Sequence, residues 1–148
     1  MKTAETFAEL SHARRLHVGA IVVKDDRIIS IGYNGMPAGW DNDCEYEEIY
    51  SRQLAPGDDY ETVHTGILKT RPEVLHAETN AIAKLARSTE SGLDADLFVT
   101  HSPCLDCAKL IYQSGIKRVY YGAEYRDNAG VDFLRTSGIQ VIQVNENE

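Results

Sequence analysis

The sequence predicts a three-layer α/β/α fold around a five-stranded mixed sheet, and three observations carry that reading. Residues 18–23 and 28–33 are two β-branched runs separated by Lys24-Asp25-Asp26-Arg27, which spells an antiparallel hairpin. Three later apolar runs, at 95–100, 116–122 and 139–144, alternate with segments of helical spacing, so they should be strands joined by helical crossovers. A chain of 148 residues is the usual size of one domain, expected here to span 1–148.

Taken in order, residues 3–16 carry Phe7, Ala8 and Leu10 among polar residues without Gly or Pro, which predicts a first helix with Thr3 as N-cap. Its basic end, His12, Arg14 and Arg15, either complements the helix dipole or serves a site. The hairpin decides which is open to it: antiparallel pairing brings Arg14 and Arg15 to the same end of the sheet as Gly32-Tyr33-Asn34-Gly35, where Asn34 can aim a donor and an acceptor. Residues 36–74 are polar and broken by Pro37, Gly39, Pro56-Gly57 and Pro72, and predict a loop-rich insertion with one short helix across 43–53. Cys44 and His64 fall inside it without the tight spacing of a zinc site, so Cys44 reads as a free thiol and a second, structural zinc is not expected.

After Pro72, Ala77, Ala81, Ile82, Leu85 and Ala86 keep helical spacing, which places His76-Ala77-Glu78-Thr79-Asn80 in the first turn of a helix over 76–88. A second helix over 104–113 begins at Cys104-Leu105-Asp106-Cys107 and is closed by Gly115. A last helix at 128–136 is stopped by Gly138, and Asn145-Glu146-Asn147-Glu148 should be a frayed polar tail.

His76, Cys104 and Cys107 can supply three zinc ligands from two helix N-termini, where partial positive charge favours thiolate. A structural zinc site would need a fourth protein ligand. None stands at obvious spacing; His101, three residues before the Cys pair, should line the pocket or point away. The fourth position is left for water, whose pKa falls toward roughly 7 on the metal. Glu78 can then move protons without binding metal, taking one from the water, giving one to ring nitrogen N3 of a cytosine as C4 is attacked, and later one to the leaving ammonia. The Ala77 amide and the Ser102 carbonyl are placed to read the edge of the base. This is the signature of a zinc-dependent nucleobase deaminase.

Composition narrows the setting. A formal charge of -8 and the absence of any Lys/Arg-dense stretch oppose binding along a nucleic-acid backbone. Three cysteines, two of them in a C-x-x-C pair, suit metal chemistry in a reducing compartment, and no apolar run approaches the roughly 18 residues that cross a membrane. A cytoplasmic protein with neither membrane nor nucleic-acid partners is expected.

His76-Ala77-Glu78 with Pro103-Cys104-x-x-Cys107 resembles the cytidine deaminase superfamily. Gly32-Tyr33-Asn34-Gly35-Met36-Pro37 and His76-Ala77-Glu78-Thr79-Asn80-Ala81-Ile82 are similar to the deoxycytidylate deaminases within it. The resemblance implies hydrolysis of dCMP to dUMP and ammonia, supplying dUMP for thymidylate synthesis, with one catalytic Zn2+. It implies that Asn34 binds the sugar or base, that Asn80 and Arg15 lie near the phosphate, and that Tyr125 packs on the pyrimidine. It further implies a homo-hexamer, activation by dCTP and inhibition by dTTP with Mg2+, with the Gly35 loop taking part and Arg87 near subunit contacts. The chain departs from the family after Pro37, where Trp40 and Asp41-Asn42-Asp43 follow, which leaves regulation open. Other readings are a tRNA adenosine deaminase, which needs a basic surface, a free-cytidine deaminase, which needs no phosphate-facing arginine, and a catalytically silent nucleotide-binding regulator, which would not need Glu78.

Overall fold

In the computed structural model, which describes residues 1–144, the hairpin is β1 (Gly19–Lys24) and β2 (Arg27–Tyr33), in register from Gly19–Tyr33 to Lys24–Arg27. β5 (Asp96–His101), β6 (Arg118–Ala123) and β7 (Gln140–Gln143) complete a sheet of order β2-β1-β5-β6-β7. β1 is antiparallel to both neighbours, whereas β5, β6 and β7 run parallel. The predicted five-stranded mixed sheet is present. The 145–148 tail lies outside the described residues.

Two glycines settle which helix covers which face. Ala20 and Gly32 are partners across β1 and β2 and point to one face, so Gly19 and Tyr33 point to the other. A Cβ on Gly32 would land on the carbonyl of Ala77, the first residue of α2 (Ala77–Leu85), and one on Gly19 would land on the carbonyl of Ala4 in α1 (Lys2–Ala8). The backbones of α1 and α2 therefore lie flat against opposite faces of the hairpin, at a distance only glycine permits. α3 (Leu105–Gln113) packs against both α2 and α4 (Ala129–Thr136), as two successive right-handed crossovers through β5, β6 and β7 require. Between these helices and the sheet sits the core: Ala20, Val22, Leu97, Val99 and Val119 against Ala81, Ala108, Ile111, Val131 and Leu134.

Two expectations are corrected. The first helix stops at Ala8, not at residue 16, and its N-cap is Met1 rather than Thr3. Ser11 is turned to other partners: its hydroxyl donates to the Asn34 carbonyl (2.8 Å) and accepts from Ala13 N, which carries residues 11–18 away from the helix axis. His12, Arg14 and Arg15 are thus outside the helix and do not complement its dipole.

The larger correction concerns 36–74. It is neither loop-rich nor helical at 43–53, but holds β3 (Glu45–Gln53) and β4 (Tyr60–Thr70), paired antiparallel as a separate two-stranded sheet. The register shifts between Glu47 and Ile49, opposite Gly66 at φ +69°. Apart from Glu45, Glu48, Val63, Thr65 and Leu68, its residues are exposed. The arm has no apolar face to present to a core, so hydrophobic periodicity has nothing to register there; aromatic and β-branched residues, Tyr46, Ile49, Tyr50, Tyr60, Thr62 and Val63, favour its strands.

Candidate active site and metal centre

His76 and Cys104 are the N-caps of α2 and α3, both in extended backbone conformation, and Cys107 lies one turn into α3. Close packing of α2 on β2 and of α3 on α2 brings these termini together. The Nδ1 of His76 is 3.5 Å from Cys104 Sγ and 3.4 Å from Cys107 Sγ. Zinc bonds of about 2.3 Å to sulfur and about 2.0–2.1 Å to nitrogen, at tetrahedral angles, would set these atoms about 3.6 Å apart. The donor set and its spacing fit zinc, and among the described residues this is the group of His, Cys, Asp or Glu side chains close enough to hold an ion.

The protonation pattern suits the same role. Hydrogen bonds from Cys107 and His76 pull the Cys104 thiol down to about 4, making it a thiolate near neutral pH. That bond to Cys104, then burial, pushes the Cys107 thiol up. The Cys107 proton is the one a divalent cation would have to displace. Thr79 Oγ1 lies 3.6 Å from the Cys107 sulfur. His76 is raised, chiefly by its hydrogen bond to Cys104.

Glu78 stands beside this cluster at 4% exposure, and burial pushes its carboxyl up to about 7. A carboxyl that gains and loses its proton near neutrality is what a proton shuttle requires. It lies in the wall of a cavity of about 360 Å³, with His76, Ala77 and Cys104 at the floor. Residues just past the C-terminal ends of β5 and β6, Ser102, Tyr125 and Arg126, form one side, with His101 at the end of β5. Arg15, Leu16, Val18 and Asn34 form another.

The predicted residues divide between the cavity lining and the supports behind it. Asn34 lines the cavity while its amide holds the wall: Oδ1 accepts from Val18 N and Nδ2 donates to the Leu16 carbonyl, both at 2.8 Å. Ala77 and Ser102 are buried in the lining, and Ser102 Oγ accepts from Tyr125 N (2.8 Å), fixing that loop. Arg15 lines the mouth and donates to Thr70 Oγ1 (2.8 Å). Asn80 is not in the lining; its Nδ2 donates to the Tyr33 carbonyl (2.7 Å), tying α2 to the end of β2. Gly35 bridges to Leu75 through two backbone hydrogen bonds, at 2.9 and 3.1 Å, and Arg87 is exposed just past α2; neither lines the cavity. Cys44 is buried and His64 is exposed against Glu47.

Sequence reasoning missed the apolar Leu16, Val18 and Val74 of the lining and three polar residues. Glu45, at 1% exposure, opens β3 and accepts from Arg14 N at 3.0 and 3.1 Å and from Arg15 N at 3.3 Å, so one buried carboxylate holds the segment that carries Arg15. Thr70 closes the same end of the arm. Arg126 faces both the cavity and a hollow of about 610 Å³ outside it. None has a motif or a period to mark it. His101, weighed from sequence as a stray ligand, lines the cavity as a neutral imidazole, its pKa lowered by burial. Thr100 Oγ1 accepts from Gly19 N (3.2 Å) and lies 3.0 Å from His101 Nδ1, a hydrogen bond that holds the imidazole in place.

Residues 1–123 match the family model of the cytidine and deoxycytidylate deaminase zinc-binding region. The chain is 38% identical over 151 residues to the deoxycytidylate deaminase of Enterobacteria phage T4, an alignment covering 86% of this chain and 78% of that protein. It is 39% identical over 121 residues to that of Mycobacterium phage D29, covering 82% and 89%. Among solved structures, the dCMP deaminase of cyanophage S-TIM5, crystallised with dCMP and dUMP, superposes with a TM-score of 0.79 at 44% identity, covering 97% of this chain and 92% of that one.

Proposed function

The chain belongs to the cytidine and deoxycytidylate deaminase family, and from that premise and the open metal site we infer that it hydrolyses dCMP to dUMP and ammonia. The observation that carries the chemistry is a three-ligand cluster of His76, Cys104 and Cys107 with a buried, unliganded carboxylate, Glu78, in the same cavity wall. Zinc held there makes hydroxide available near neutral pH. Everything else falls to the chain. With a pKa near 7, Glu78 can take one proton of the attacking water and deliver it to N3 of the ring, then take the remaining proton from the hydroxyl now on C4 and give it to the amine, which leaves as ammonia while the C4 carbonyl forms. Ala77 and Ser102 face the base, Tyr125 covers it, and Asn34 braces the wall beside the sugar. Arg15, at the mouth, faces the phosphate; Asn80 serves by fixing the β2–α2 junction.

One catalytic domain spanning 1–148, with 36–74 as its insertion, completes this reading. Assembly as a homo-hexamer, control by dCTP and dTTP with Mg2+ through the Gly35 loop, subunit contacts at Arg87 and a cytoplasmic location are proposals resting on the resemblance; sedimentation with and without each nucleotide tests the assembly. No helix of the described residues is long and apolar enough to cross a membrane.

The reading is tested by incubating the zinc-loaded protein with dCMP, dCTP, deoxycytidine and a tRNA anticodon hairpin while following ammonia release. dCMP should be turned over fastest. No release from dCMP, or preferred release from the hairpin, would sink it.

A further inference from the structure

The two sulfurs of the metal cluster stand in different surroundings. Cys104 lines the cavity and is reached by whatever enters it, whereas Cys107 lies behind the lining at 2% exposure. A divalent cation takes both as thiolates, and ligation engages only part of the negative charge on each sulfur. At Cys104, molecules in the cavity can donate to the remainder. At Cys107 the protein must supply the donor, because a buried anionic atom without one is costly.

Thr79 is placed to be that donor. It lies three residues after His76 in the first turn of α2, and its Oγ1 is 3.6 Å from the sulfur of Cys107, one turn into α3. While the thiol keeps its proton, either atom can donate. Once the sulfur is a thiolate, only the hydroxyl can. A threonine inside a helix commonly turns its hydroxyl back to the carbonyl one turn earlier, yet among the described residues the Thr79 hydroxyl has this sulfur as its partner and no other. His76 apart, it is also the side-chain hydrogen bond that joins α2 to α3 among the described residues. Asn80, the next residue, is turned the other way, to the Tyr33 carbonyl.

Resting on the zinc-site part of the deaminase reading, we propose that Thr79 is a positioning residue of the metal centre, whose hydroxyl donates to the Cys107 thiolate, holds that sulfur toward the ion and draws electron density from it. Helix packing sets the frame of the site, and Thr79 compensates charge within that frame. Donors that stand behind metal ligands tune both the affinity for the ion and its electronic character. Density withdrawn from the sulfur is not passed to the cation, which keeps more of its Lewis acidity for the reaction at C4.

The test compares Thr79→Val, which keeps the branched shape and loses the hydroxyl, with Thr79→Ser, which keeps the hydroxyl. In competition with a chromogenic chelator, Thr79→Val should bind zinc about 10- to 100-fold more weakly than the parent, the usual cost of removing a donor behind a ligand, and Thr79→Ser should stay within about threefold of it. Cobalt(II) in place of zinc gives a readout without turnover. With the hydrogen bond gone the sulfur is richer in electrons, so the sulfur-to-cobalt charge-transfer band should move to longer wavelength in Thr79→Val and stay in place in Thr79→Ser. Thr79→Ala, which requires no branched side chain to pack, should show the same shift even where Thr79→Val disturbs the fold. Parent-like zinc affinity or an unshifted band in Thr79→Ala, or loss of both in Thr79→Ser, would overturn the assignment. A parent protein that binds neither metal overturns the metal site and this assignment with it; one that binds zinc but releases no ammonia from dCMP overturns only the substrate reading.

Discussion

The floor and the mouth of the cavity are held by different means. At the floor, His76, Glu78 and Cys104 line the cavity with Cys107 buried behind them, all at the N-terminal ends of two helices whose backbones are pressed against the sheet and each other. At the mouth, Arg15 hangs from an irregular segment pinned by one buried carboxylate, and Tyr125 and Arg126 sit on a loop held by one serine hydroxyl. Chemistry is positioned by packing of backbone, which tolerates almost no change; substrate choice is positioned by side-chain hydrogen bonds, which can be lost one at a time.

The first way to break that contrast is to add one methyl group under the floor. In Gly32→Ala the new Cβ would meet the Ala77 carbonyl, and neither backbone can yield without moving the start of α2. Overpacking of this kind costs about 1–3 kcal/mol or more. Because the displaced turn carries His76 and Glu78, zinc content measured by atomic absorption should fall together with the thermal midpoint. A variant that keeps full zinc and turnover would mean that α2 is not held by this contact.

Glu78→Gln separates chemistry from architecture at the same floor. Zinc should remain bound while turnover of dCMP drops by about 10²–10⁴-fold, because only the proton transfer is removed. Loss of metal in this variant would make Glu78 a ligand instead.

Glu45→Ala is the corresponding cut at the mouth. It strips the acceptor from the Arg14 and Arg15 amides and the ion pair to Arg14 Nε (3.7 Å). Hydrogen bonds to a charged group contribute about 1.5–3 kcal/mol. Stability should fall by about 2 kcal/mol in urea unfolding, with KM for dCMP rising several-fold and zinc retained. If kcat falls instead while KM holds, floor and mouth are not separable.

The same division explains what could be read from the sequence. His76, Glu78, Cys104 and Cys107 were legible because metal and proton chemistry demand fixed residue types at helical spacing, and the hairpin and crossovers because their apolar runs are buried on the sheet. Asn34 was marked by its place at the end of the hairpin and Tyr125 by the resemblance, and both line the cavity. Glu45, Thr70 and Arg126 were not legible: each reaches the site through tertiary packing of an element whose own pattern carries no signal. Asn80 shows the opposite error, a residue adjacent to the motif whose side chain faces away, toward Tyr33.

The arm sharpens the contrast from its weak side. Its base, Glu45 and Thr70, belongs to the mouth, but its far end, where Gln53 pairs with Tyr60 across residues 54–59, touches none of the lining. The tip residues are exposed throughout. Replacing 54–59 with Asn-Gly, the two-residue turn that suits the twist of a hairpin, keeps the Gln53–Tyr60 register while exchanging six residues for two. Exposed substitutions away from packed features change stability by about 0.5 kcal/mol or less. kcat/KM for dCMP in the shortened protein should therefore stay within about twofold of the parent in a steady-state assay. A tenfold loss with stability unchanged would show that the arm acts on the site along its whole length, and the boundary of the mouth would have to be redrawn to include it.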